Sequence, residues 1–145
     1  MTTATLERER RLEAIALAAT DLLEELADQV LETLDVEVSR GPTVGLLMLR
    51  VEEPSERLRF NFAEVTVSEA EVTADGQRGY AMVMGREPAK ALAGAILDVA
   101  IEAGHPAGPA IEDQLTAVLQ EEAERQAAAR ARVAPTRVRF EEMTP

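Results

Sequence analysis

The side chains that could do chemistry in this sequence are few and widely separated. The only histidine, His105, lies between Gly104 and Pro106, and no serine, cysteine or metal-ligand partner stands at a useful spacing from it. A lone histidine in a turn is more often a structural residue than a general base or a metal ligand. We therefore predict no catalytic residue, no metal site and no bound cofactor.

Two charged side chains stand apart from the many ordinary solvated ones. Glu64 follows Phe62 in an otherwise apolar, strand-like stretch, and Arg86 comes at the end of a later strand. An arginine at such a position can meet a carboxylate or a phosphate. An edge or turn position is the more common explanation for Glu64. The sharper hypothesis pairs it with Arg59 or Arg86 across a sheet or subunit boundary.

The glycines do not form a phosphate-binding loop. They are dispersed along the chain, and neither a Gly-Lys-Ser/Thr motif nor a Gly-x-Gly-x-x-Gly motif is present. No set of residues provides a nucleophile, a base and an oxyanion donor together. The sequence therefore argues against independent catalysis by this chain.

The composition limits the class of protein. Among 145 residues, 27 are acidic and 15 basic, which gives a formal net charge of −12, and there is no cysteine. Such a surface repels nucleic acid and anionic membranes, and disulfides and thiolate sites are excluded. Without a secretory or membrane-spanning apolar run, we expect a soluble, cytoplasmic protein with one domain over residues 1–145.

The apolar spacing predicts helices first and a sheet next. A helical period over residues 5–34 predicts two helices or one kinked helix. Residues 36–84 predict an antiparallel sheet of about four strands, with residues 59–62 and 65–74 counted separately. Residues 45–51 are apolar on both faces, which is typical of a central strand. The Asp75-Gly76 pair predicts a hairpin turn.

Two C-terminal helices are predicted over residues 88–133. Pro88 begins a helix that is apolar nearly all round, so it must be covered on more than one side. The last helix has no large apolar residue from Gln120 to Arg132, and its length exceeds what a compact domain needs. We expect this half of the helix, together with a tail over residues 134–145, to form a C-terminal arm that packs on another chain. A helix that stays in solvent is equally compatible with the sequence. The fold class is α+β.

Several of these residues recur together in a known family. Residues 59–70, followed by Val72, Asp75-Gly76, Gly79-Tyr80 and Met-Gly-Arg86, resemble the central signature of the PhnG family of phosphonate metabolism proteins. Residues 132–143 are similar to that family's C-terminal ending. The order and spacing of these segments, rather than any single motif, carry the resemblance over about residues 36–143.

The resemblance implies an accessory subunit in phosphonate breakdown by the carbon-phosphorus lyase system. Together with H, I and L subunits, such a protein supports the exchange of the base of ATP for a phosphonate such as methylphosphonate. The product is a ribose 1-phosphonate 5-triphosphate, whose carbon-phosphorus bond a radical J subunit later cleaves. The resemblance assigns catalysis to the I subunit. It implies the I subunit as partner, with H and J in the core complex.

We expect the partner interface in the C-terminal arm and in the sheet. The candidate residues are Arg130, Arg132, Thr136, Arg137 and Phe140 in the arm, and Glu64, Tyr80 and Arg86 in the sheet. Two other classes of function stay open. One is a stand-alone phosphonate- or nucleotide-binding enzyme that uses Arg86, Glu64 and His105, and the other is a homodimeric acidic scaffold.

Overall fold

A computed structural model describes residues 6–138 of the chain. In chain order the elements are α1 (Arg8–Leu17), α2 (Thr20–Leu31), β1 (Glu37–Glu52), β2 (Arg59–Ala74), β3 (Gln77–Met84), α3 (Pro88–Glu102), α4 (Gly108–Val133) and a short 3₁₀ helix (Ala134–Thr136). The predicted N-terminal helices, antiparallel sheet and two C-terminal helices are all present. None of these helices combines the length and hydropathy that crossing a membrane requires.

Within residues 6–138 the sheet has three antiparallel strands in the order β1-β2-β3, so the prediction of about four strands was wrong in number. Residues 59–62 and 65–74 belong to the single strand β2. The pairing of Leu49 with Ala63 changes to a pairing of Arg50 with Asn61, which leaves Phe62 as an extra residue. A bulge of this kind bends a strand without ending it.

Residues 45–51 do not lie in the central strand, contrary to the prediction. They belong to β1, which is an edge strand, while β2 lies in the centre of the sheet. Every residue of β1 except Val51 is exposed. The apolar pattern on both faces is real, but no second layer of the described residues covers it.

The β2–β3 hairpin has the predicted two-residue turn. Asp75 and Gly76 both have positive φ, at 49° and 74°, and Ala74 pairs with Gln77 across the turn. These dihedrals are those of the tight hairpin turns that match strand twist. The pairing then continues without a register shift to Val67 and Met84.

The core lies between one face of the sheet and the helices. Residues 93–100 of α3 are all buried, which confirms that this helix is covered on more than one side. Gly79 of β3 permits the close approach, since an added Cβ would lie 2.3 Å from the carbonyl oxygen of Ala95. The sheet face packs with small side chains, including Ala70, Val72 and Ala81.

The two halves of α4 have different surroundings. Ile111, Leu115 and Leu119 in the first half are buried against the body of the protein. No residue from Gln120 to the end of the described chain is buried. The second half therefore leaves the packed body, as its composition predicted.

Candidate interaction surfaces and a buried ion network

A buried carboxylate joins three elements of the fold. Asp98 of α3 is fully buried, and its Oδ1 accepts a hydrogen bond from Arg11 Nε at 2.8 Å. Its Oδ2 accepts one from Arg8 Nη2 at 2.7 Å and one from the Tyr80 backbone N–H at 2.9 Å. Arg11, itself 2% exposed, also pairs with Glu102. The network fixes α1, α3 and β3 relative to one another.

Asp98 is fully buried, so a substrate cannot reach it from solvent. Its two oxygens are occupied by two guanidinium groups and one amide, as a buried charge requires. The hydrogen bond to Asp98 is also the main reason that the pKa of Arg8 is raised above its ordinary value. The network thus holds its charges in fixed positions and joins α1, β3 and α3.

Tyr80 lies on the sheet face that points away from the helices. Its hydroxyl donates to Glu69 Oε2 at 2.9 Å, and Glu69 Oε1 lies 3.0 Å from a guanidinium nitrogen of Arg40. Burial, and next the hydrogen bond to Glu69, raise the pKa of Tyr80 to about 12. Tyr80 therefore stays protonated at neutral pH and acts as a hydrogen-bond donor on this outer face.

Glu64 lies on β2 opposite Met48 and is exposed. Neither expected arginine pairs with it. Arg59 lies 3.4 Å from Glu52 instead, and Arg86 makes no ion pair within residues 6–138. Glu64 is therefore free to meet a charge on another molecule.

Arg86 is presented by a bend that a buried serine holds. The hydroxyl of Ser68 donates to the carbonyl oxygen of Gly85 and accepts from the N–H of Glu87, both at 2.8 Å. Ser68 itself is fully buried. The bend fixes the backbone on both sides of Arg86, while the arginine side chain is exposed.

The candidate residues of the C-terminal arm lie on an exposed segment. Arg130 and Arg132 are in the last turns of α4, and Arg137 follows the 3₁₀ helix; all three are exposed. The Thr136 hydroxyl donates to the carbonyl oxygen of Val133 at 2.7 Å. Phe140 lies outside the described residues. The described arm candidates thus follow one another on one segment, whereas among the sheet candidates Tyr80 and Glu64 point to opposite faces of the sheet.

His105 takes part in a local turn. Its Nε2 lies 2.9 Å from Thr33 Oγ1, and its Nδ1 accepts the backbone N–H of Ala107 at 3.2 Å. It thereby ties the turn between α3 and α4 to the end of α2, and it makes no contact with Glu64 or Arg86. Over residues 6–138, no group of three His, Asp or Glu side chains is arranged to hold a metal ion.

Two features of this surface and network were missed by sequence analysis. The Asp98 network joins residues 87 and 90 positions apart. The one available signal was an aspartate in a nearly all-apolar helix. The exposed apolar surface of β1 was also missed, because the same pattern is typical of a buried strand.

Comparisons with known proteins show which family and which protein the chain is similar to. A family model described as phosphonate metabolism protein PhnG matches residues 6–144. The chain is also similar to the alpha-D-ribose 1-methylphosphonate 5-triphosphate synthase subunit PhnG of Rhizobium meliloti (strain 1021). The two are 34% identical over 137 residues, which cover 90% of this chain and 86% of the relative.

Proposed function

The chain belongs to the PhnG family of phosphonate metabolism proteins, and on that premise we propose that it is a non-catalytic subunit of a ribose 1-methylphosphonate 5-triphosphate synthase. Together with H, I and L subunits it would support transfer of the ribose triphosphate moiety of ATP to a phosphonate. The I subunit would carry the catalytic groups, and H and J would join it in the core complex. The proposed complex uses ATP, which is consistent with a location in the cytoplasm.

The observation that carries this proposal, beside the family, is the exposed second half of α4. A helix of this length spans about 39 Å at 1.5 Å per residue, yet only its first half has buried residues. Such a segment contributes little to the stability of its own chain. Its ordered, exposed surface is suited to packing on another subunit.

The charge of this segment indicates what it meets. The chain as a whole is acidic, with a net charge of −12, but Arg130, Arg132 and Arg137 follow one another near the end of α4. Arginines at interfaces bind carboxylates through two parallel hydrogen bonds. We infer that these three residues, with Thr136 and Phe140, contact an acidic surface of the I subunit.

Glu64 and Arg86 supply a second proposed contact area on the sheet, whereas Tyr80, the third candidate there, points to the face of the sheet opposite Glu64. Glu64 and Arg86 are exposed charges without an ion-pair partner within residues 6–138. Both lie close to the end of β3, since the N–H of Gly85 donates to the carbonyl oxygen of Thr66 at 2.7 Å. Charges held on well-ordered strands favour selection of one partner orientation.

The test is co-purification of the tagged chain with the I subunit, comparing the intact chain with one that ends at Gln120. The shorter chain keeps Ile111, Leu115 and Leu119, the buried apolar residues of α4, so it should fold; circular dichroism checks this. We expect a stable complex with the intact chain and its loss on truncation. A complex that survives truncation would move the interface to the sheet, and no complex with either chain would contradict the proposed function.

Charge reversal sharpens the same test without shortening the chain. We expect Arg130→Glu combined with Arg132→Glu to weaken the complex. The control is the single reversal Arg10→Glu on α1, judged against Arg130→Glu alone, because Arg10 is also exposed and, within residues 6–138, pairs with the neighbouring Glu13. Equal losses in the two variants would show a general charge effect and contradict a specific acidic contact.

A further inference from the structure

The β1–β2 hairpin extends beyond the body of the protein. The pairing of β2 with β3 ends at Val67 and Met84, whereas the pairing of β1 with β2 continues to Glu52 and Arg59. Past Val67 the sheet therefore has two strands in the part of the chain that the structure describes. We call residues 46–66, which comprise this two-stranded part and its connecting loop, the hairpin arm.

The hairpin arm carries an unusual concentration of exposed apolar side chains. It holds seven of the 14 exposed large hydrophobic residues found in residues 6–138, and these seven are between 39% and 66% exposed. They are Leu46, Leu47, Met48, Leu49, Leu58, Phe60 and Phe62. Single exposed apolar residues are ordinary, but a contiguous group marks an interaction site.

The apolar side chains lie on both faces of the arm. Successive residues of a strand point to opposite faces, so Leu46 and Met48 share one face, and Leu47 and Leu49 share the other. Their partners on β2 alternate in the same way, with Leu46 opposite Thr66 and Leu47 opposite Val65. A partner that packs flat against the arm would leave one of these apolar faces in water.

The area of the arm favours a partner that surrounds it. Seven residue pairs at about 3.3 Å per residue, on two strands about 4.8 Å apart, give roughly 220 Å² per face. A standard interface buries about 800 Å² on each partner. One face falls well short of this value, whereas the two faces together cover more than half of it, and the open edge of β1 adds to them.

The charges of the arm separate into two groups. At the tip, Glu52 lies 3.0 Å from Arg57 and 3.4 Å from Arg59, so these charges are paired within the hairpin. Arg50 and Glu64 lie among the apolar residues and form no ion pair within residues 6–138. Burying them stabilises a complex only if the partner supplies opposite charges.

We propose that the hairpin arm inserts into an apolar-walled cleft of another subunit of the synthase, which contacts both faces and places a cation opposite Glu64 and a carboxylate opposite Arg50. This inference rests on the proposed function, since the partner belongs to the same complex. A second copy of the chain fits less well. Pairing two β1 edges would leave both faces exposed, and stacking two arms would cover only one.

The experiment substitutes one face at a time in the full chain. One variant carries Leu46→Ser and Met48→Ser, and the other carries Leu47→Ser and Leu49→Ser. The control carries Leu17→Ser and Leu31→Ser, which are 40% and 45% exposed and lie outside the arm. Thermal denaturation verifies folding, and assembly with the other synthase subunits is measured by co-purification and size-exclusion chromatography.

We expect each face variant to weaken assembly at least about tenfold, as truncation of central interface residues does, while the control changes it less than about twofold. Loss with one face variant alone would show flat docking and overturn the cleft. Normal assembly of both variants would overturn the arm as an interface while leaving the subunit function intact. A dimer of the isolated chain that the face variants dissociate would assign the arm to a second copy and also overturn the proposal.

The charge complementarity has its own test. Glu64→Lys should weaken assembly at least about tenfold, because it places two cations together in the cleft. The control is Glu25→Lys on α2, where the residue is exposed and lies outside the arm, so assembly should be unchanged. Equal behaviour of the two variants would contradict a partner cation opposite Glu64.

Discussion

Two apolar runs of this chain have opposite environments. Residues 93–100 of α3, which are apolar except for Asp98, are all buried, whereas residues 46–49 of β1, which are all large and apolar, are between 39% and 66% exposed. An apolar run shows that a segment is to be covered, but it does not show whether the same chain covers it. In a subunit of a complex, this difference separates the folding core from a docking surface.

The geometry explains why the two runs differ. α3 packs against the sheet, and the missing side chain of Gly79 lets the helix approach the strands closely. The Asp98 network then attaches α1 to the same helix. The hairpin arm extends past the end of β3, where no third strand or helical layer from residues 6–138 covers it.

The largest contrast is expected between two carboxylates that each hold two arginines. Asp98→Ala should lower the free energy of unfolding by about 3–5 kcal/mol, since it leaves the buried Arg11 without its main partner. Glu52→Ala, which releases Arg57 and Arg59 at the exposed tip, should cost about 0–1 kcal/mol. Chemical denaturation measures both values, and similar losses of unfolding free energy would contradict the distinction between the core and the hairpin arm.

Two leucines sharpen the comparison for apolar side chains. Leu97→Ala in α3 should destabilise the chain by about 2–5 kcal/mol, because it leaves a cavity in a fully buried site. Leu46→Ala, at a position 66% exposed, should change the stability of the isolated chain by less than about 0.5 kcal/mol. A large loss from Leu46→Ala would mean that the arm is covered within its own chain.

Two strand glycines provide a smaller test of packing. Gly79→Ala should cost about 1–3 kcal/mol, because the new methyl group would lie 2.6 Å from Val99 as well as against Ala95. Gly45→Ala, at the base of the arm, should be tolerated, since no atom lies within 4 Å of the added Cβ. Thermal melts of the two variants compare them, and equal melting temperatures would refute the close approach of α3 to β3.

The smallest effect concerns the outer face of the sheet. The pKa of Tyr80 is about 12, raised by burial and by Glu69, against about 10 in the unfolded chain. The folded state therefore holds its proton more tightly, and this contribution to stability is present below pH 10 and is lost as pH rises toward 12.

The chain has one tyrosine and no tryptophan, so the ultraviolet absorbance of the phenolate reports Tyr80 directly. Glu69→Gln should lower its pKa by removing the carboxylate that the hydroxyl contacts. An unshifted pKa near 10 in the intact chain would contradict the buried, hydrogen-bonded position of Tyr80.

Periodicity and turn chemistry predicted much of the fold. The helices, the Asp75-Gly76 turn and the burial of α3 follow from local patterns that each element carries in its own residues. The number of strands was wrong because a bulge at Phe62 changes the local pattern much as a strand end does. The edge position of β1 was missed because strand order depends on contacts that no local pattern specifies.

The candidate sites were less predictable from the sequence. The absence of large apolar residues from Gln120 to Arg132 did predict that the second half of α4 is exposed. The partners of Asp98 and Tyr80 were not predictable, because they come from distant segments that only the fold brings together. The roles of Arg130, Arg132 and Phe140 at an interface stay predictions.

The most direct test of the central claim is hydrogen-deuterium exchange of the isolated chain and of the chain assembled with its synthase subunits. We expect exchange in residues 46–49 and 60–66 to slow on assembly, because the partner covers the hairpin arm, while residues 93–100 of α3 stay equally protected in both states. Unchanged exchange in the arm of an assembled complex would contradict the claim that this apolar surface is completed by another subunit.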